Sequence, residues 1–328
     1  MNRRPLGSTG FQVSELGFGA WGLGGEQWRG ATDSEGSAAL REAVEQGITF
    51  VDTALAYGNG HSEQVVGRVL REEIRSGQVV VASKVPPMNE QWPGKATSPL
   101  AAVFPVRHLT KSTERSLENL GVEALSLLQL HVWNDAWLDD PDWEASRDCM
   151  VRLKREGKVL HWGISINEHE PETALRVLRD PLFETAQVIY NIYDRSPERE
   201  LFALARTRAL GVIARVPFDE GALTGAIHAG TVFPAGDWRE EYFAGDRPAE
   251  AERHANALAK LLGEEARTLP ELALRFSLSA PEVSTVIPGM RRAAHVRANV
   301  AAARQGPLSA SMLSRLGAHA WEKNWYQP

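Results

Sequence analysis

Cysteine is all but missing from this 328-residue chain, with Cys149 standing alone. One thiol cannot close an intramolecular disulfide, and one sulfur is not a thiolate metal site, so a reducing cytoplasm is the expected setting. Long apolar stretches are missing too. No run approaches the ~20 residues of a bilayer span, and the opening MNRRPLGSTG has no apolar signal-peptide core. Positive charge is not in excess: 36 Lys and Arg against 42 Asp and Glu give a formal net charge of −6, the wrong sign for a general polyanion binder. Nucleic acid and membrane are therefore not expected as partners, and the composition leaves the oligomeric state open. No fixed-period repeat, low-complexity tract or linker marks a boundary, which favours one domain over residues 1–328. GxGxxG is absent as well. The glycines of GFGAWGLGG (17–25) lead into further loop where a phosphate-binding helix would have to start, so a Rossmann reading loses its main support.

What the chain does have is 43% hydrophobic residues, enough for a sizeable core. Apolar, β-rich runs recur at ITFVD (48–52), VVVASK (79–84), LSLLQLH (125–131), VLHWGIS (159–165), AQVIYN (186–191), GVIARV (211–216) and VSTVIPG (283–289). SELGFGAW (14–21) is a weaker, Gly-rich first member. Such runs read as buried parallel strands. Helix signals lie between them: Asp33-Ser34 lead into SAALREAVEQG, and Leu109-Thr110 lead into KSTERSLENLG, which stops at Gly121. Strand and helix are read as alternating throughout. Eight such units close most simply into a (β/α)8 TIM barrel, with a doubly wound open α/β sheet as the competitor. RRPLGSTGFQVSEL (3–16) suggests a β-hairpin capping the barrel floor. The segment after the seventh run, PFDEGALTGAIHAGTVFPAGDWREEYFAGDRP (217–248), is far longer than a usual connection and suits a binding loop or lid.

Barrels build their sites at the carboxyl ends of the strands. Asp52 ends the second run, Lys84 the third and His131 the fourth, so all three should face one cavity. Tyr57 follows in DTALAYGNGHSE (52–63), where Gly58 and Gly60 let the loop turn back over the mouth. The set suits proton transfer to a substrate oxygen. A nearby Lys84 ammonium would favour the phenolate of Tyr57, Asp52 would hold that ammonium, and His131 would orient the oxygen. No step of this chemistry needs a metal. Taken singly, each residue has a plainer reading: a turn cap for Asp52, a snorkelling amine for Lys84, a hydrogen-bonded core imidazole for His131.

The order and spacing of DTALAYGNGHSE, VVVASK, LLQLH, HWGIS, QVIYN and VIPG resemble the aldo-keto reductase superfamily nearly end to end. The resemblance implies a barrel that reduces aldehydes or ketones with a nicotinamide cofactor, and a catalytic tetrad at Asp52, Tyr57, Lys84 and His131. It implies that Ser165 and Gln187 hold the carboxamide, with Asn167 a further candidate. The family pattern G-x-S-N is interrupted here by Ile166. Many members carry an aromatic ring at the end of the seventh strand where this chain has Arg215, whose flat cation would stack on the nicotinamide or else pair with Asp219 or Glu220. Phe218, Gly221, Leu223 and Gly225 match the segment that lies against the pyrophosphate. Pro288, Gly289, Met290, Arg291, His295 and Asn299 match the adenosine-phosphate site, where Arg291 argues for NADP (NADPH) over NAD, with Arg292 or His295 as a helper. The plainer reading of that stretch is a solvated basic helix start, and Arg239 is as much a surface ion pair as a phosphate contact. Trp21 and Trp133, with Trp325 and Tyr326 near the end of the chain, are candidate walls for a small-molecule carbonyl substrate.

The expected activity is NADPH-dependent carbonyl reduction with Tyr57 as the acid. Two rivals remain on this basis: a nicotinamide-binding sensor or regulatory subunit with little turnover, and a lyase or isomerase using Lys84 as a Schiff-base amine.

Overall fold

The computed structural model describes residues 1–25, 30, 32–263 and 265–326. Two strands come first, β1 (Arg3–Pro5) and β2 (Gln12–Ser14), paired antiparallel. Eight parallel strands follow in chain order: β3 (Phe18–Gly19), β4 (Phe50–Asp52), β5 (Val80–Val85), β6 (Leu125–Leu130), β7 (Val159–Ser165), β8 (Phe183–Ile189), β9 (Gly211–Arg215) and β10 (Val283–Val286). Each pairs with the next. The ends of the sheet meet through parallel bridges Leu16↔Val286 and Gly19↔Gly289. Gly17 N donates to Val286 O at 2.8 Å and Gly19 N to Pro288 O at 3.0 Å. The sheet is thus a closed (β/α)8 barrel, as expected from the eight runs.

Alternation along the strands separates two apolar layers. Phe50, Val80, Ala82, Leu127, Ile213 and Ile287 point inward and pack with Leu6 and Val13 of the hairpin. The opposite faces of the strands pack against the helices in a larger cluster. The hairpin therefore plugs one end, the floor. Its close fit needs glycine at Gly7, where a Cβ would stand 2.1 Å from Gly211 N.

The helices are α1 (Asp33–Glu45), α2 (His61–Arg75), α3 (Leu100–Val103), α4 (Val106–Leu120), α5 (Trp143–Arg155), α6 (Leu201–Arg208), α7 (Arg239–Tyr242), α8 (Arg247–Ala259), α9 (Leu269–Ser279), α10 (Ala293–Arg304) and α11 (Ala310–Leu316). None of the described helices is long and apolar enough to cross a membrane. Thr32 closes a capping box with Glu35 at the start of α1, so the helix already includes Asp33 and Ser34. α4 starts at Val106, after Pro105, earlier than the Leu109-Thr110 signal suggested, because proline is well placed just before a first helical turn. One connection breaks the expected alternation. Between β7 and β8 the described chain forms only short 3₁₀ turns at Pro171–Ala174 and Val177–Arg179. The start of the second turn is held by a side chain: Asp135 accepts from Arg176 N at 2.6 Å and from Val177 N at 2.9 Å.

Candidate active site

The inward parity that fills the barrel with apolar side chains runs on to polar residues at the carboxyl ends. On β4 Phe50 is followed by Asp52, and on β5 Val80 and Ala82 are followed by Lys84. On β6 Leu127 and Gln129 are followed by His131, whose N–H still donates to Val85 O at 3.0 Å. Ser165 and Arg215 end β7 and β9 in the same way, and Gln187 takes the matching inward position two residues before the end of β8. Tyr57 reaches this group from the loop after β4, which lies against the loop after β3 with no room for side chains. A Cβ on Gly58 would be 2.2 Å from Gly24 O, and Gly58 itself has φ +59.

Lys84 is fully buried, and its Nζ donates to Asp52 Oδ2 at 2.7 Å, to Thr53 O at 2.8 Å and to the Tyr57 hydroxyl at 3.1 Å. All three protons of the ammonium have acceptors, as a buried charge requires. Burial works against that charge, but Asp52 and Tyr57 outweigh it, and the Lys84 pKa is raised. For Tyr57 the expectation needs correcting. Burial dominates and raises the phenol above its ordinary value, while Lys84 pulls in the other direction without prevailing. The ammonium thus holds a protonated phenol and moderates the cost of ionising it. His131 is lowered well below its ordinary pKa by burial and then by the charges of Lys84 and Arg215, so its ring is neutral at pH 7. Its Nδ1 is buried without a protein partner.

Asp52 is also held from across the barrel. Gln187 Nε2 donates to Asp52 Oδ1 at 2.6 Å, and Ser165 Oγ donates to Gln187 Oε1 at 3.3 Å. Asn167 lies apart from this chain: its side chain accepts from Gly94 N at 3.0 Å and donates to Gly94 O at 3.1 Å, clamping the loop after β5. Arg215 donates to Ile166 O at 3.0 Å and stands 3.6 Å from Glu168. Its ion-pair partner is thus Glu168 and neither Asp219 nor Glu220, whose carboxylates bond Lys323 and Tyr326, although the charge of Arg215 still reaches Glu220.

Beyond β9 the chain passes through left-handed conformations at Val216 (φ +56), Asp219 (φ +47) and Glu220 (φ +55). A β-branched residue such as Val216 there costs about 1–3 kcal/mol. Phe218 O accepts from Gly221 N at 2.9 Å and from Leu223 N at 3.0 Å, and Gly225 (φ +75) ends the turn. At the other side of the mouth, Arg291 lies over Gly22, where a Cβ would be 2.3 Å from its Cδ. Desolvation lowers the Arg291 pKa, and so do the charges of Arg239 and Arg292. Desolvation and the charges of Arg292 and Arg291 likewise lower His295. This cationic group sits at the start of α10, whose N-cap residue, Arg292, makes no side-chain cap. Gly289 is exposed, Asn299 is largely buried, and Met290 is fully buried, so only its backbone is accessible.

Trp21 and Trp133 separate. Trp21 stacks on Tyr57 with ring centroids 6.1 Å apart and touches Trp238 at 5.3 Å. Trp133 is not at the site. The chain leaves β6 at Leu130, and the indole turns into the outer layer. There it is fully buried against Trp137 and Trp143, and its Nε1 donates to Asp135 at 2.9 Å. Besides Tyr57, whose ring lies 5.7 Å from that of His131, the aromatic facing His131 is Trp92, 43% exposed with ring centroids 4.6 Å apart. Only its place in the loop after the Lys84 strand could have marked it. Glu168, three residues past Ser165, had no signal beyond its charge.

The model of the aldo/keto reductase family matches residues 15–320. The chain is 27% identical over 315 residues to the NADH-specific methylglyoxal reductase of Escherichia coli, covering 92% of this chain and 93% of that protein. Among solved structures, the holo form of an aldo-keto reductase from Bacillus halodurans superposes with a TM-score of 0.76 at 28% identity, covering 100% of this chain and 99% of that one. A Klebsiella pneumoniae aldo/keto reductase in complex with NADP and acetate gives 0.68 at 26% identity, covering 99% of this chain and 98% of that one. With the match spanning the barrel from its first strand to α11 and beyond, the chain belongs to the aldo/keto reductase family.

Proposed function

We propose that the protein reduces an aldehyde or ketone to the alcohol, using NADPH, with Tyr57 as proton donor. The observation that carries this reading is the fully buried Lys84 ammonium, shared between Asp52 at 2.7 Å and the Tyr57 hydroxyl at 3.1 Å in the barrel mouth.

The residues present fit a nicotinamide dinucleotide. Arg291, flanked by Arg239, which is held in an ion pair with Asp237, and by Arg292, which pairs with Glu35, stands beside an α-helix start without a side-chain cap, a cationic group suited to a phosphate. The buried Nε of Arg215 and Nδ1 of His131, near Tyr57, lack protein partners. Ser165 and Gln187 would hold the carboxamide, Phe218, Gly221, Leu223 and Gly225 would lie along the pyrophosphate, and Gly289, Met290 (through its backbone), Arg291, His295 and Asn299 would take the adenosine end. When bound, the reduced cofactor supplies the hydride. The NADP-bound Klebsiella structure supports the choice of NADPH, while the NADH-specific Escherichia coli relative makes that choice the point to test.

The chain's own part is proton supply and orientation. Tyr57 is protonated at neutral pH and gives its hydroxyl proton to the carbonyl oxygen as that oxygen becomes an alkoxide. Lys84 stabilises the phenolate left behind, and Asp52 with Gln187 keeps Lys84 in place. Neutral His131 offers a ring N–H to the same oxygen. Trp21 and Trp92 flank the approach. Titration with NADPH and then NADH, read by tryptophan fluorescence and followed by turnover of an activated aldehyde, tests the reading. Saturable binding favouring NADPH together with turnover is expected, and binding of neither nucleotide overturns it.

A further inference from the structure

The turn after β9 combines strained backbone at Val216, Asp219 and Glu220 with Gly221 at φ +114. Such conformations persist only where the surroundings hold them. Here the holding groups come from the last described residues. Lys323, 5% exposed, places Nζ 3.0 Å from Asp219 Oδ1 and 2.8 Å from Oδ2, and donates to the Tyr242 hydroxyl at 3.1 Å. The Tyr326 hydroxyl donates to the Glu220 carboxylate, and its ring stacks on Trp238 at 5.7 Å. The segment that carries these two side chains is itself fastened. Trp321 N donates to Tyr193 O at 3.0 Å, Arg247 donates to Trp325 O at 3.4 Å, and the Lys323 ammonium rests 4.3 Å from the Trp325 ring centroid.

A buried ion pair is a poor source of net stability, because desolvation offsets its attraction, but it fixes geometry closely. Asp219 and Lys323 are such a pair, and they join the chain's end to the segment that carries Gly221, Leu223 and Gly225. We propose that Lys323 and Tyr326 are positioning residues for cofactor retention: they hold the backbone of 219–225 in the shape that lies along the dinucleotide, and so set how slowly it leaves. This rests on the cofactor reading above. Neither residue touches the reacting atoms.

The test uses the full chain. NADPH release is followed by stopped-flow fluorescence in wild type, Lys323→Met, Asp219→Asn, the double variant and Tyr326→Phe, and amide hydrogen exchange is measured in the same proteins without cofactor. Release roughly five-fold faster or more is expected for each single variant, with the double variant no faster than the faster single, because the two side chains act as one pair. Faster exchange at 219–225 is expected, with the barrel strands unchanged and Lys323→Arg restoring much of the wild-type behaviour. Tyr326→Phe loses a single oxygen and keeps the test open if Lys323→Met does not fold. Unchanged release and unchanged exchange at 219–225 in folded variants overturn the proposal. If wild type binds no nucleotide, the cofactor reading falls, and the exchange result alone then judges whether the chain's end holds the turn.

Discussion

Gln187 and Asp52 meet across the barrel mouth: an amide from β8 donates to a carboxylate from β4 at 2.6 Å, though 135 residues separate them. The other oxygen of Asp52 takes the Lys84 ammonium. Gln187 is therefore part of the frame that fixes the ammonium as well as a candidate cofactor ligand. Gln187→Leu should cost about 1.5–3 kcal/mol, the usual loss for a hydrogen bond to a buried charge. Urea unfolding at pH 7 checks this, and an unchanged midpoint would show that the bond contributes nothing.

Tyr57→Phe should lower carbonyl reduction by roughly 10²- to 10⁴-fold, the range for loss of a positioned acid, while nucleotide binding changes little. Lys84→Met should do more, because it leaves Asp52 buried without its cation, at about 3–5 kcal/mol of stability. Turnover, nucleotide titration and unfolding on both variants separate the two roles. Equal loss of stability in the two would contradict the division.

Removing the guanidinium of Arg291 should weaken NADPH by roughly 10- to 150-fold, the equivalent of one charge-assisted contact at about 1.5–3 kcal/mol. NADH affinity should change by no more than about two-fold, since it offers no 2′-phosphate. Arg291→Ala with parallel titrations reads this directly. Equal losses would move the phosphate contact to Arg239 or Arg292.

Burial pushes the Glu220 carboxyl up to about 7, assisted by Asp219 and opposed by the Tyr326 hydrogen bond, from an ordinary value of 4.5. Between those two values the folded protein keeps a proton that the unfolded chain releases. Stability should therefore fall as pH rises from ~4.5 to ~7, by up to about 3 kcal/mol in all, and this contribution should level off above. Glu220→Gln should remove that slope and leave the protein more stable at pH 8. Denaturation midpoints of both proteins from pH 5 to 8 decide it, and parallel curves would rule the effect out.

Trp92→Ala and Trp133→Ala should behave oppositely. The first opens the space above His131 and should raise KM for bulky aromatic aldehydes with little effect on unfolding. The second leaves a core cavity and should cost about 3–5 kcal/mol with KM unchanged. A KM effect from Trp133→Ala in a folded protein would restore it to the pocket.

The eight strands were legible as continuous apolar runs, and their polar ends as the residues that close those runs; in the folded strands the period-2 register turns those ends inward. Phe50 inside predicts Asp52 inside, and Ala82 inside predicts Lys84 inside. That register fails where the strand ends. Trp133 has the same parity as His131, yet the chain has already left β6, and an Asp135 acceptor draws the indole outward. The partners of Arg215 and Asn167 were hidden for a related reason, since contacts between separate loops, such as Asn167 with Gly94, leave no periodic trace. The short turns that replace a helix between β7 and β8 left no such trace either, since the Asp135 carboxylate that takes the amides of Arg176 and Val177 comes from another loop.

The bridges from Leu16 and Gly19 to Val286 and Gly289 carry a consequence for synthesis. A chain still emerging from the ribosome has made β3 long before β10, so the first strand waits with one hydrogen-bonding edge unpaired until synthesis has passed β10. Open edges of this kind are where nascent chains pair with the wrong neighbour. Truncation anywhere before residue 283 would leave two such edges exposed together, and the fragments should be found in aggregates or held by chaperones.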